Sequence, residues 1–178
     1  MDAAQFSIKG MYRDLLKGPD QRVIYDSGWT SNTIMPSCRI LLTAFMKNEV
    51  SAGIRYLAVG EGDAQWDKTG APAPDPGPPD LVHRCIDAPI PQNQLELRYL
   101  NDQELEVNDP TKRLQIKATL AAGYPAPLSN TTSYPLREFG LFGSLGADSK
   151  DCMINCVRHP VIYKDKDSTL VRVIRLYF

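Results

Sequence analysis

No stretch of the sequence approaches the roughly 20 apolar residues that a helix needs to cross a bilayer. The richest stretch, Ile34 to Met46, is interrupted by Pro36 and Arg39. The first residues, Met1-Asp2-Ala3-Ala4-Gln5-Phe6, have neither a basic start nor an apolar core, so no signal peptide and no membrane insertion are expected. A surplus of either charge is also missing: 20 Lys and Arg stand against 21 Asp and Glu, a net of −1. Neutralising phosphates needs a basic excess, so nucleic acid is not an expected partner.

Chemistry-bearing clusters are scarce as well. None of the four cysteines, Cys38, Cys85, Cys152 and Cys156, falls in a C-x-x-C pair. Cys152 and Cys156 lie in a strand-like pattern, where positions i and i+4 are about 13 Å apart, too far for a disulfide. With only two histidines, both isolated, no zinc cluster forms on paper, and the expectation is no metal, no cofactor and buried free thiols from a reducing compartment. His83 and His159 are the only usual general bases, and neither has a G-x-S-x-G or C-G-x-C nucleophile context. A small hydrolase built on one of them is therefore the weakest functional alternative. Gly60-Glu61-Gly62 opens like a dinucleotide loop, but Gln65 replaces the third glycine and prolines replace the helix. Glu61, Asp63 and Asp67 do not have the spacing of a calcium loop.

What the chain does have is punctuation and alternation. Its 178 residues suit one domain, and 12 glycines with 14 prolines argue for many turns. Residues 1–20 carry Phe6, Ile8, Met11, Leu15 and Leu16 at loosely helical spacing, broken by Gly10, Gly18 and Pro19. This segment reads either as a short helix on the body or as an arm that docks on a neighbour. Residues 21–178 read as a single β-rich domain. Arg22–Ser27 and Ile54–Gly60 are strands by composition. Between them Cys38, Leu41, Leu42 and Phe45 recur at i, i+3, i+4 and i+7, which predicts a helix from Pro36 to about Asn48. A proline-rich loop at 68–80 follows, stiff and extended. Leu95, Leu97 and Tyr99, and then Leu114, Ile116, Ala118 and Leu120, alternate with polar residues as half-buried antiparallel strands do. Tyr134–Gly143, Asp151–Arg158 and Thr169–Phe178 are joined by short links and read as a meander of three strands. The predicted fold class is α+β and β-rich: mainly antiparallel sheet with one packed helix and long loops.

Glu138 stands out within this pattern. It shares a predicted strand face with Leu136, Gly140 and Phe142, and a carboxylate on an apolar face needs a partner. Arg172 and Arg175 of the last strand are the candidate structural partners. Cys152, Ile154 and Cys156 are expected on one face of the meander.

The segment Leu136-Arg137-Glu138-Phe139-Gly140-Leu141-Phe142-Gly143 resembles the I-x-E-x-G-L-F element of bacteriophage tail-fibre and baseplate-associated proteins. Tyr56-Leu57-Ala58-Val59-Gly60-Glu61-Gly62 is similar to their hIAVGTG segment, and Val161-Ile162-Tyr163-Lys164 and Leu170–Phe178 are similar to their closing loop and strand. The order and spacing agree over residues 23–178. The departures are the long proline loop, Glu61 between the glycines, and Phe139 at a usually aliphatic position. The resemblance implies a non-enzymatic structural subunit of a phage tail, or of the equivalent contractile injection particle. Such a subunit would be made in the bacterial cytoplasm and built into the virion or particle as a homo-oligomer beside other tail subunits. Phe6, Ile8, Met11, Leu15, Leu16 and Phe178 are then the candidate assembly contacts. A module that presents the proline-rich loop to a host or partner protein is the alternative, to be recognised by exposed aromatics around Trp66.

Overall fold

The computed structural model describes residues 7–49, 51–74, 80–85, 89–129, 131–146 and 150–178. Its strands are β1 (Lys9–Lys17), β2 (Val23–Asp26), β3 (Thr30–Ile34), β4 (Ser51–Gly60), β5 (Ile90–Pro91), β6 (Leu95–Leu100), β7 (Glu106–Val107), β8 (Arg113–Leu120), β9 (Ser133–Leu145), β10 (Lys150–Asp165) and β11 (Thr169–Tyr177). Helix α1 (Pro36–Met46) and the single turn α2 (Trp66–Thr69) complete the described elements, with a 3-10 turn at Gln92–Gln94. The strands form one eleven-stranded sheet in the order β5-β4-β9-β10-β3-β1-β11-β8-β6-β7, with β2 also paired to β1. The sheet is antiparallel at every named pair. This is the β-rich α+β class read from the residues.

The sheet curls on itself around a large enclosed core. Ile116, Ala118, Leu120, Leu170 and Ile174 from one half meet Leu57, Val59, Leu136, Phe139, Leu141 and Val157 from the other. Tyr12 of β1 sets its ring edge-on to Phe139 of β9, with centroids 5.3 Å apart. Helix α1 adds Cys38 and Leu41 to this core. A second, smaller cluster (Met35, Ala58, Leu81, Phe142, Met153 and Cys156) lies on the outer face of β4, β9 and β10. Alternation puts it there: Ala58 sits between Leu57 and Val59, which point inward, and Phe142 follows inward-pointing Leu141.

Four expectations change. First, residues 9–17 are neither arm nor helix. They are β1, bonded along its whole length to β11 on one edge and to β2 and β3 on the other. Tyr12, Asp14 and Leu16 are buried, while Met11 and Leu15 on the alternate face are half-buried. The period of two was hidden by Asp14 standing where an apolar residue was expected. Of the assembly candidates, Leu16 is core, Ile8 packs against the core, Phe178 is exposed, and Phe6 lies outside the described residues.

Second, the closing strands are not a meander. β9 and β10 pair, but β3 and β1 stand between β10 and β11. Third, Cys152 and Ile154 belong to the enclosed core and Cys156 to the outer cluster. A register shift between Met153 and Asn155 inserts one residue and turns the following side chains to the other face. Fourth, α1 buries Ala44 where Phe45 was expected, and Phe45 is exposed. The helix carries Pro36 in its first turn, as its fixed φ and missing N–H favour. All four cysteines are free, and Cys38, Cys152 and Cys156 are buried. Burial pushes the Cys38 and Cys156 thiols up to about 11 and raises Cys152.

Candidate functional site

Three groups of polar side chains are assembled within or against the sheet. The deepest is Asp14, Arg172 and His159. Asp14 on β1 and Arg172 on β11 face each other in register, and neither has any exposed surface. Arg172 donates two parallel hydrogen bonds, from Nε and Nη2 to the two carboxylate oxygens of Asp14, both at 2.7 Å. Its guanidinium lies 3.7 Å from the centre of the Phe139 ring. Arg172 Nη2 also lies 3.0 Å from His159 Nε2, and His159 Nδ1 lies 2.7 Å from the Pro160 carbonyl oxygen. These two contacts assign the tautomer: Nδ1 carries the proton and donates to the carbonyl, and Nε2 accepts from Arg172. Burial first, and the Arg172 charge second, push the imidazole down to about 4. His159 is thus a neutral acceptor buried inside the sheet.

The second group surrounds Glu138, which is fully buried. Its expected partners, Arg172 and Arg175, are elsewhere. Arg175 bonds Glu104 and Gln115 and stacks on Trp29 at 4.2 Å. Arg172 does reach β9, over Phe139, but it is bonded to Asp14 inside the enclosed core, whereas Glu138, one residue before Phe139, points to the opposite face of the strand. The Glu138 carboxylate instead accepts backbone N–H bonds from Val82 (3.1 Å) and His83 (2.8 Å). Its neighbours also differ from expectation, because Leu136 points into the enclosed core with Phe139 and Leu141. Gly60, the register partner of Glu138, leaves the necessary room: a Cβ there would stand 2.6 Å from the His83 carbonyl oxygen and 2.7 Å from a Glu138 oxygen. The His83 side chain is exposed, with Nδ1 2.7 Å from the Gly62 carbonyl oxygen. The carboxylate therefore holds the backbone of His83 and does not orient its imidazole.

Two charge-assisted bonds from otherwise unpaired backbone groups make Glu138→Ala costly, by about 2–4 kcal/mol. Glu138→Gln should fall between wild type and alanine, because its amide keeps one acceptor and turns NH2 toward the other N–H. Denaturant midpoints at constant m-value measure this series. Equal midpoints for all three proteins would remove the structural role.

The third group surrounds Arg137. Its Nε and Nη2 donate to Asp67 at 2.8 and 2.7 Å, and its Nη1 donates to the Glu61 carbonyl oxygen. The hydrogen bonds from Arg137 hold Asp67 below the usual carboxylate range. Gly62 has φ +57° and would place a Cβ 2.5 Å from the Trp66 ring. Both glycines of Gly60-Glu61-Gly62 are thus explained by close packing, one against Glu138 and one against Trp66. Asp63 caps the next turn by accepting the Gln65 N–H, so Glu61, Asp63 and Asp67 do not converge. Among the described residues, no group of three or more His, Cys, Asp or Glu is placed to hold a metal ion. Trp66 is half-buried under Arg158, which stacks on it at 5.1 Å and donates to the Ala73 carbonyl oxygen, pinning the start of the proline-rich loop; residues 75–79 of that loop lie outside the described residues.

Asp14 and Lys164 are buried polar residues not singled out in the sequence. Lys164 Nζ donates to the carbonyl oxygens of Ala121 and Ser168, and burial pushes it down to about 8. Among the described residues, no helix is long and apolar enough to cross a membrane. Comparison with protein-family models, curated proteins and solved structures gives no match.

Proposed function

We propose that the chain is a structural subunit of a phage tail or of a related contractile injection particle, acting through contacts with copies of itself and with other subunits. One observation carries the reading. β2 presents Val23, Ile24 and Tyr25 to solvent and is bonded along one edge only, to β1, among the described residues. An exposed apolar edge strand is a template for pairing with another chain. The outer side of α1 adds Ile40 and Met46, the latter 86% exposed, and Phe178 is exposed at the far end of β11.

The internal polar groups favour the same reading. His159, Glu138 and Arg137 have partners within the fold, as do Nε and Nη2 of Arg172. The two segments that carry the tail-protein resemblance are neighbouring strands, with Ala58 opposite Gly140 and Gly60 opposite Glu138. The half-burial of Trp66 beneath Arg158 gives no such support to a module that displays aromatics beside the proline-rich loop.

The test is co-sedimentation. An epitope-tagged chain expressed in its own host should pellet with tail or tail-like particles and take gold label at one fixed position along them. A tagged chain that stays in the supernatant of a particle-producing culture contradicts the proposal.

A further inference from the structure

We propose that Asp80–Arg84 is a strap that opens as a unit of its own from its anchor at Cys85, uncovering the β4 edge and the outer apolar cluster while the enclosed core stays closed. Its attachments among the described residues are few and local. Leu81 is its one buried apolar side chain, whereas Val82 and His83 are exposed. Leu81 is seated over Gly140, where a Cβ would lie 3.6 Å from its Cδ2. The strap backbone is held by the Glu138 carboxylate, by the Glu61 N–H on the His83 carbonyl oxygen, by Cys85 N–H on the Val59 carbonyl oxygen, and by an isolated bridge between Gly60 and Arg84. Arg84 lies over the Tyr56 and Phe142 rings at 4.9 and 5.0 Å, with looser ion pairs to Asp80 (3.7 Å) and Asp151 (3.8 Å).

Only Cys85, at the end of the strap, packs against the enclosed core, beside Tyr134; among the described residues nothing joins Asp80–Arg84 to that core, which is cross-linked by full ladders. A segment with few buried apolar contacts opens at lower free energy than the fold beneath it. Beneath the strap runs a cavity of about 330 Å³, lined by Leu81, Met153 and Cys156 among others. The surface it covers offers a strand edge, the Glu138 acceptor and a leucine-sized seat. These are the parts needed to receive an extended segment, of which Asp80–Arg84 is the resident one.

Cys156 reports the opening, and Cys38 and Cys152 in the enclosed core report global unfolding. Pulsed thiol alkylation of the native protein, resolved by site with mass spectrometry, is run across sub-denaturing urea. The proposal predicts that Cys156 labelling changes little with urea while Cys38 and Cys152 labelling climbs steeply. Leu81→Ala should raise the Cys156 rate at least tenfold. Ile116→Ala, in the enclosed core, should raise the Cys38 and Cys152 rates at least tenfold and leave Cys156 unchanged, because its contacts persist while the strap is open. Three thiols that accelerate together in urea, a Leu81→Ala protein with an unchanged Cys156 rate, or an Ile116→Ala protein in which Cys156 rises with the other two, would overturn it. The measurement uses the isolated chain, so its outcome is independent of particle assembly.

Discussion

Arg172→Ala should destabilise the protein by about 3–5 kcal/mol, because it leaves the Asp14 carboxylate uncompensated in the interior. That is a large share of the roughly 5–15 kcal/mol that holds a typical domain folded. Replacing both partners together, Asp14→Leu with Arg172→Met, should be milder than either single loss, since no charge is then stranded. The third member adds a pH signature. His159 sits at about 4 in the fold, below the ordinary value of 6.5 that applies in the unfolded chain. Between those values the unfolded state binds the extra proton, so stability rises with pH across the window. The contribution is fully present above pH 6.5 and is lost as pH falls to about 4, a change on the order of 3 kcal/mol. Asp26 is lowered to about 2 by Arg13 and the Gly28 N–H, and its contribution is lost at more acid pH, so it does not mask the effect. Urea melts at pH 7 and pH 5 measure the difference, and His159→Gln should flatten it. A wild-type protein equally stable at both pH values would mean that the imidazole is not held neutral.

Deleting residues 1–18 should abolish cooperative folding. The deletion removes β1, which holds β11 on one edge and β2 and β3 on the other, and it removes Asp14 from beside Arg172. It also takes Tyr12 and Leu16 out of the enclosed core. A docking arm would be dispensable for folding, whereas a central strand is not. Circular dichroism of the truncated chain should show no thermal transition. A sharp transition near the wild-type temperature would contradict the placement of β1.

The strands that alternate cleanly were legible because burial on one face writes a period of two into the residues. Arg113–Leu120 is the clearest instance, with Ile116, Ala118 and Leu120 buried. The single long helix was legible from its spacing and from Pro36. β1 was not, because its inward face reads Gly10, Tyr12, Asp14, Leu16, and a carboxylate interrupts the apolar signal. A carboxylate on an apolar face signals both a strand and its need for a partner, at Asp14 as at Glu138. Strand order was hidden for a different reason. Short connections favour neighbours, but β3 and β1 come from far upstream to lie between β10 and β11. Glu138, a carboxylate on an apolar face, needs partners. Those partners are backbone N–H groups of a segment some 55 residues earlier, which no side-chain pattern announces.

In the proposed role, β2, bonded on one edge only among the described residues, and the outer face of α1 are covered by other subunits. Its most direct test is copy number. Tail or tail-like particles purified from the host that encodes the chain can be digested with isotope-labelled reference peptides of this sequence and of the major particle protein. The account predicts a fixed, stoichiometric number of copies per particle, unchanged by high-salt washing. A variable trace that falls with each wash would contradict it.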